Sequence, residues 1–341
     1  MSDRNALIRG FMDSTDWAGA TLVPLAGDAS NRRYLRITHP VRNDTAVLMD
    51  APPDRGEDVR PFIQIADYLT SIGLSAPRIL AQDTQAGFLL LEDLGDDLFA
   101  SVIPQQPELE NGLYSCATDL LAALHGETPP EGLEAYDPPL MANLAALAFD
   151  WYLPAATAPD PDAQSQFRAA ILDALQRHAA DCPVLIQRDY HAQNLLWLPD
   201  REGVARVGLL DFQDAMLGHP AYDLVSLLQD ARRDVPPGIE SAMIDRYIAA
   251  TQAPPHPFRA AYAVLGAQRN LRILGVFTRL CVRDGKAHYV DLIPRVWALL
   301  QRDLTHPALA DVAAILSTAL PQPTPAILRK VKDQCPPNPK P

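Results

Sequence analysis

The sequence predicts an α+β chain with a small strand-bearing N-terminal region and a larger, mostly helical C-terminal one. Residues 1–90 mix strand-like runs with one amphipathic helix, in which Val59, Phe62, Ile63, Ala66 and Leu69 recur at helical spacing. From residue 108 onward helical periodicity dominates, at about 108–124, 140–153, 162–179, 219–232, 238–251, 258–282 and 287–304. Three short apolar runs interrupt that series: Val184–Ile186, Leu195–Leu198 and Val207–Leu210. They are too brief for helices and have the length of strands.

Along the chain, a turn over Gly27–Asn31 leads into a strand that carries Arg32 and Arg33. Alternation puts Arg33 on one face with Leu35 and Ile37, and Arg32 on the other with Tyr34 and Arg36. Gly87–Leu91 reads as a buried strand running into the connector Glu92-Asp93-Leu94-Gly95. Pro-rich breaks near 129–139 and 154–161 separate helices rather than domains. The segment 258–282 is apolar on most helical faces yet carries Gln268, Arg269, Asn270 and Arg272. Such a helix is normally buried, and a buried Arg or Asn needs partners. After Leu320 the Pro-rich tail cannot hold regular structure throughout and reads as peripheral. There is no internal repeat. The domain reading is an N-terminal lobe over 1–93, a C-terminal lobe over 94–320 and a tail over 321–341.

With 341 residues, 48% of them hydrophobic, the chain can bury a sizeable core or two. A net charge of −13 argues against nucleic acid or an anionic membrane surface as partner. It does not argue against a nucleotide, which needs only a local cationic pocket. Met1–Trp17 has no apolar stretch of signal-peptide type, and no run approaches bilayer length. Cys116, Cys182, Cys281 and Cys335 are scattered with no C-x-x-C pair, so neither a metal cluster nor a disulfide framework is expected. That usage fits a reducing cytosol.

The chemistry lies in Asp189, Asn194 and Asp211. An Asp is followed five residues later by an Asn, then by an apolar run, then by a second Asp that ends another apolar run. This is the phosphoryl-transfer layout: the first Asp meets the acceptor hydroxyl's proton, and the Asn and second Asp offer oxygen ligands to Mg²⁺. Mg²⁺ takes few protein ligands, so one carboxylate and one amide carbonyl suffice.

On these residues the chain resembles the aminoglycoside phosphotransferase family, the small-molecule branch of the protein-kinase-like fold. Gln187, Asp189 and Asn194 match the family's H-x-D-x-x-x-x-N, Asp211 its metal-binding Asp, and Gly218–Leu224 its G-D-P-x-x-D-L. Leu121–His125 is similar to the L-H ending of its first large C-lobe helix. Leu25–Ser30, Arg32–Tyr34, Leu48–Pro53, Arg60–Phe62 and Gln268–Leu271 resemble the subgroup that phosphorylates N-acetylmuramate and N-acetylglucosamine at the anomeric position, in cell-wall sugar recycling. The resemblance covers roughly residues 5–310.

It implies a cytoplasmic, two-lobed kinase fold that binds ATP and Mg²⁺ and acts on a small amino-sugar acceptor. Asp189 would be the catalytic residue, with Asn194 and Asp211 on the metal. Ser30, Arg32 and Arg33 would lie at the phosphates, with Arg33 the better candidate if the apolar face covers adenine, and the backbone of Glu92 and Leu94 at adenine. His191, Arg269 and Asn270 would line the acceptor pocket, although Arg269 reads equally well as the partner of a carboxylate such as Asp223. Two departures stand out. Gln187 replaces the usual His, and the kinase Lys is missing, because the first Lys is Lys286. The helix near 58–71 has no Glu either, so both halves of that ion pair are lost together and no buried charge is orphaned. Two other readings stay open: a kinase of another small alcohol (choline, homoserine or an aminoglycoside), and an inactive nucleotide-binding pseudokinase.

Overall fold

The structure, a computed structural model, describes residues 4–25, 31–181 and 183–336. The first elements are α1 (Arg4–Asp13), β1 (Thr21–Pro24), β2 (Arg33–Thr38), β3 (Thr45–Asp50), α2 (Arg60–Ser71), β4 (Ile79–Asp83), β5 (Phe88–Glu92), α3 (Phe99–Gln105) and α4 (Glu110–Leu124). Next come α5 (Pro138–Ala145), α6 (Leu153–Ala156), α7 (Pro161–His178), β6 (Val184–Ile186), β7 (Leu195–Trp197), β8 (Val207–Leu209) and β9 (Met216–Gly218). The chain ends with α8 (Ala221–Leu228), α9 (Pro237–Thr251), α10 (Pro255–Val282), α11 (Ile293–Asp303), α12 (Ala310–Ala319) and α13 (Pro325–Lys332). Contacts gather them into two units. One runs to Leu120 and adds Ala192–Ala215; the other holds Leu121–His191 and everything from Met216 onward.

The first unit is built on a five-stranded antiparallel sheet in the order β1-β2-β3-β5-β4. The β2–β3 register sets Arg33 opposite Asp50, Leu35 opposite Leu48 and Ile37 opposite Ala46. Alternation puts all six on one face. Ile8, Phe11 and Met12 of α1 close that face together with Phe88 and Leu90 of β5. Arg4 pins the start of α1, its Nε donating to Asp50 Oδ1 at 2.8 Å while its guanidinium lies 4.1 Å above the Phe88 ring. Helix α2 starts where Asp58 Oδ1 accepts the Arg60 N–H at 2.9 Å, and it buries Phe62, Ile65, Ala66 and Leu69 along one stripe.

The β7–β8 hairpin belongs to this unit. Its Leu209 N–H donates to the Ser75 carbonyl at 2.9 Å, and its Trp197 N–H to the Asp97 carbonyl at 2.7 Å. A side chain at Gly208 would press on Leu196, Leu198 and Leu94, so the missing Cβ lets the hairpin close down. The sequence set a boundary at residue 93; contacts carry the first unit on through α3 and most of α4.

The second unit is helical except for β6 and β9, an antiparallel pair with Val184 opposite Gly218 and Ile186 opposite Met216. The 28-residue α10 is buried along most of its length, as its apolar surface requires. Gly275 lets it touch the chain at Leu147, where any Cβ would run into backbone. Helices α5 and α7 begin at Asp137 and Asp160, whose carboxylates accept the Leu140 and Ala163 N–H groups at 2.9 and 3.0 Å. The strands flanking Asp189 and Asn194 do not pair with each other: β6 goes to β9 and β7 to β8.

The tail departs from expectation. Thr324 caps α13, Val331 of α13 is fully buried, and Lys330 Nζ donates to the Ala156 carbonyl at 2.9 Å. No disulfide was expected from the cysteine spacing, yet Cys335 is bonded to Cys281, with Cα atoms 5.1 Å apart and 54 residues between them in sequence. A pair so distant along the chain leaves no local signature; only the docking of α13 brings it together. Among the described residues, no helix is long and apolar enough to cross a membrane.

Closing a 54-residue loop stabilises a fold by about 2–4 kcal/mol. Dithiothreitol is therefore expected to lower the melting temperature of the wild type and to leave a less stable Cys335→Ser variant unmoved. A wild-type melting curve indifferent to reductant would show that the bond does not form.

Candidate active site

In the second unit, β6 is fully buried and delivers the chain to a turn at Arg188, whose φ of 71° lies in the left-handed region. That conformation costs a residue with a Cβ about 1–2 kcal/mol. Asp223, fully buried near the start of α8, holds it: Oδ2 accepts the Gln187 N–H at 2.6 Å and Oδ1 the Arg188 N–H at 2.9 Å. Burial pushes the Asp223 carboxyl up to about 7, against the pull of those two donors. Gln187, where the family pattern has His, contributes through its backbone; its buried side-chain Nε2 meets no acceptor.

Asp189 follows directly, its N–H donating to the Gln187 carbonyl at 2.9 Å. Burial alone would raise its pKa. Arg272, Arg269, His191 and Arg188 outweigh burial and hold the carboxyl below its usual range. Arg272 donates to Tyr222 Oη at 3.1 Å, Tyr222 Oη to Tyr136 Oη at 3.4 Å, and the Arg188 guanidinium lies 5.6 Å from the Tyr136 ring centre. Sequence reasoning did not give Arg272, Tyr136 or Tyr222 a place here. A signal for Arg272 existed, since it follows Arg269 by three residues on one helix and so shares its face. Tyr136 sits in a Pro-rich connector and gave none.

Three residues expected in the acceptor pocket occupy defined places in this unit. Arg269 Nη2 donates to Ser226 Oγ at 2.9 Å, and Ser226 Oγ donates to the Arg188 carbonyl at 3.3 Å, so Arg269 braces the same turn from behind. Asn270 Nδ2 donates to Gln229 Oε1 at 2.8 Å and to Asp303 Oδ2 at 3.1 Å, in a buried network that ties α10 to α11. His191 is 3% exposed, with Nε2 3.1 Å from Arg232 Nη1.

Asn194 and Asp211 lie in the first unit. Asp211 follows β8 at φ 58°, a left-handed conformation that Asp tolerates better than most residues. Phe212 fixes it, fully buried with its ring centre 4.8 Å from that of Phe62 on α2. The Asn194 carbonyl accepts the Leu210 N–H at 3.0 Å. That brings the Asn194 Nδ2 to 3.4 Å from Asp211 Oδ2, while Gln213 Nε2 donates to Oδ1 at 2.8 Å. A carboxylate beside a carboxamide is a hard-oxygen donor pair, which suits Mg²⁺ with phosphate oxygens completing its shell. No cluster of three or more His, Cys, Asp or Glu occurs among the described residues, so no all-protein metal cage competes with it.

The residues expected at the nucleotide are engaged within this unit. Arg32 Nε pairs with Glu57 Oε2 at 2.8 Å. Arg33 Nε donates to Asp50 Oδ2 at 2.9 Å, on the sheet face that α1 covers. Glu92 ends β5, its carboxylate bridging Arg78 at 3.0 Å and Arg201 at 2.8 Å, and Leu94 is buried. Ser30 lies outside the described residues.

Residues 21–262 match the phosphotransferase enzyme family. The chain belongs to this family. The phosphotransferase is 37% identical to the N-acetylmuramate/N-acetylglucosamine kinase of Caulobacter vibrioides, over 94% of its own length and 98% of the relative's. It is also 37% identical to the kinase of that name from Pseudomonas aeruginosa, over 89% of each chain. Among solved structures, a putative aminoglycoside phosphotransferase from Ralstonia eutropha superposes with a TM-score of 0.64 at 16% identity, covering 92% of this chain and 98% of that one. An ADP-bound aminoglycoside phosphotransferase gives 0.58 at 12%, covering 88% and 97%. These likenesses establish the protein-kinase-like fold, with a five-stranded N-lobe sheet and a helical C-lobe.

Asp223→Ala would leave two buried N–H groups without acceptors, a loss of about 2–4 kcal/mol that urea denaturation would register. Arg272→Met removes the cation that acts most strongly on Asp189 and leaves burial less opposed, so the Asp189 pKa rises. The acidic limb of the pH–kcat/KM profile of the phosphotransferase is then expected to move to higher pH. An unmoved limb would show that Arg272 does not act on Asp189.

Proposed function

We propose that the protein is an ATP- and Mg²⁺-dependent kinase that phosphorylates the anomeric hydroxyl of N-acetylmuramate and N-acetylglucosamine. The observation that carries the reading is the Asn194 carboxamide set against the Asp211 carboxylate, with Asn194 five residues along the chain from a carboxylate held ionised at Asp189. The acceptor comes from relatives that bear that name at 37% identity over most of both chains. Such a substrate puts the enzyme in cell-wall sugar recycling, in the cytoplasm where ATP is made available.

In this reading Asp189 accepts a hydrogen bond from the sugar hydroxyl and takes its proton as the phosphoryl group departs. The surrounding cations make it a weak base. That suits a loose transition state in which little proton transfer precedes bond breaking, so orientation is its main contribution. Asn194 and Asp211 would hold Mg²⁺, which when bound neutralises charge on the nucleotide phosphates. Glu92 and Leu94 offer backbone groups to adenine. Of the two arginines at the start of β2, Arg32 is the better phosphate partner, because Arg33 shares the face occupied by α1. Arg32 would exchange Glu57 for phosphate oxygens.

Asp189→Ala is expected to abolish turnover while Mg·ATP affinity by calorimetry stays near wild type, whereas Asp211→Ala weakens that affinity. In a coupled ADP-release assay both N-acetyl sugars should be consumed far faster than choline, homoserine or an aminoglycoside. Equal kinetic defects in the two variants with unchanged nucleotide affinity would refute the assigned roles, and no Mg²⁺-dependent sugar phosphate would mark a pseudokinase.

A further inference from the structure

We propose that His191 and Asp230 form the subsite that recognises the acetamido group of the acceptor sugar. The inference rests on the function proposed above and adds the residues that would distinguish an N-acetyl sugar from a plain one. Both lie in the second unit, and both are almost completely enclosed, at 3% and 2% exposure.

Asp230 stands just past the end of α8. Its Oδ1 accepts the Arg232 N–H at 2.8 Å, but its buried Oδ2 meets no donor. His191 Nε2 faces Arg232 Nη1 at 3.1 Å. A guanidinium can only donate, so Nε2 is the acceptor of that bond. Burial holds the ring pKa down at about 4, the nearby Asp230 carboxylate opposing, so the imidazole is neutral near pH 7 and keeps its one proton on Nδ1. That N–H meets no acceptor. Arg232 therefore braces both side chains and leaves each with one group unused: a donor on His191 and an acceptor on Asp230.

Buried polar groups are nearly always satisfied, and an unmet donor and an unmet acceptor on two side chains that both contact Arg232 suit a ligand that carries both. A secondary amide fits, its C=O accepting from His191 Nδ1 and its N–H donating to Asp230 Oδ2. The acetamido group is common to both sugars named for the relatives and sits on the carbon next to the anomeric one. His191 follows Asp189 by two residues, so recognition of that neighbouring substituent falls beside the reacting hydroxyl. Asp230 gave no signal in the sequence, because the turn after α8 resembles any acidic helix end.

The test compares kcat/KM for N-acetylglucosamine, N-acetylmuramate and glucose in the wild type, Asp230→Asn and His191→Asn, with melting temperatures taken on the same samples. Asp230→Asn keeps the shape while removing an acceptor. The preference for N-acetyl sugars over glucose is expected to collapse by about 10- to 100-fold in each variant, chiefly through KM, as for a site that loses a partner for a substrate polar group. If all three sugars lose activity by one common factor, the pair merely braces the Asp189 loop and the proposal is overturned. A preference that stays at its wild-type value in folded variants overturns it equally. A wild type that consumes neither N-acetyl sugar overturns the proposed function and takes the subsite with it; a competent wild type with unaltered variants overturns the subsite alone.

Discussion

Two backbone N–H groups and one buried carboxylate decide the course of the chain that carries Asp189. Asp223 accepts from Gln187 and Arg188, and so fixes the left-handed residue that turns the chain out of β6. Without that clamp Arg188 would relax toward ordinary backbone angles, and Asp189 would leave the strand on another heading. Ser226 and Arg269 support the same turn from α8 and α10, which accounts for an arginine in the middle of a buried helix. The first unit uses the same device with other parts. Asp211 is itself left-handed, and the fully buried Phe212 locks it against α2. At both places a small conformational penalty is held in place by interactions that a looser turn could not make.

The electrostatics around Asp189 follow from the company it keeps. Kinases of this fold usually bring a lysine from the third strand to the phosphates, and this chain has none before Lys286. Arg32 and Arg33 instead sit in ion pairs within the sheet unit, at Glu57 and Asp50, while Arg272 and Arg269 lie near Asp189 and favour its ionised form. Charge is thus spent on fixing the state of one carboxylate. Under the proposed function such a residue would gain orientation and lose basicity, an acceptable exchange where the transferred group leaves early.

Much of this was legible in the sequence because the chemistry allows few substitutes. Asp189, Asn194 and Asp211 declared themselves by order and by the short strands around them, and β6, β7 and β8 form where the apolar runs lie. The polar residues of α10 signalled that partners must exist. Their identity was hidden, since Asn270 finds Gln229 and Asp303 at separations of 41 and 33 residues. Alternation sorted Arg32 from Arg33 correctly by face, yet which face α1 would cover is a long-range outcome that no local pattern encodes. Helix α1 itself escaped notice, as did α13 with its disulfide, because short helices owe their stability to docking rather than to propensity.

The discontinuity of the first unit bears on how the polypeptide is made. Its β7–β8 hairpin donates hydrogen bonds to the carbonyls of Ser75 and Asp97, and those residues are made well before the strands that reach them. The sheet can form early, but its floor arrives only after β6 and the helices before it have been synthesised. Until that hairpin is made, the Ser75 carbonyl lacks its Leu209 donor and Leu94 lacks the close approach that Gly208 permits.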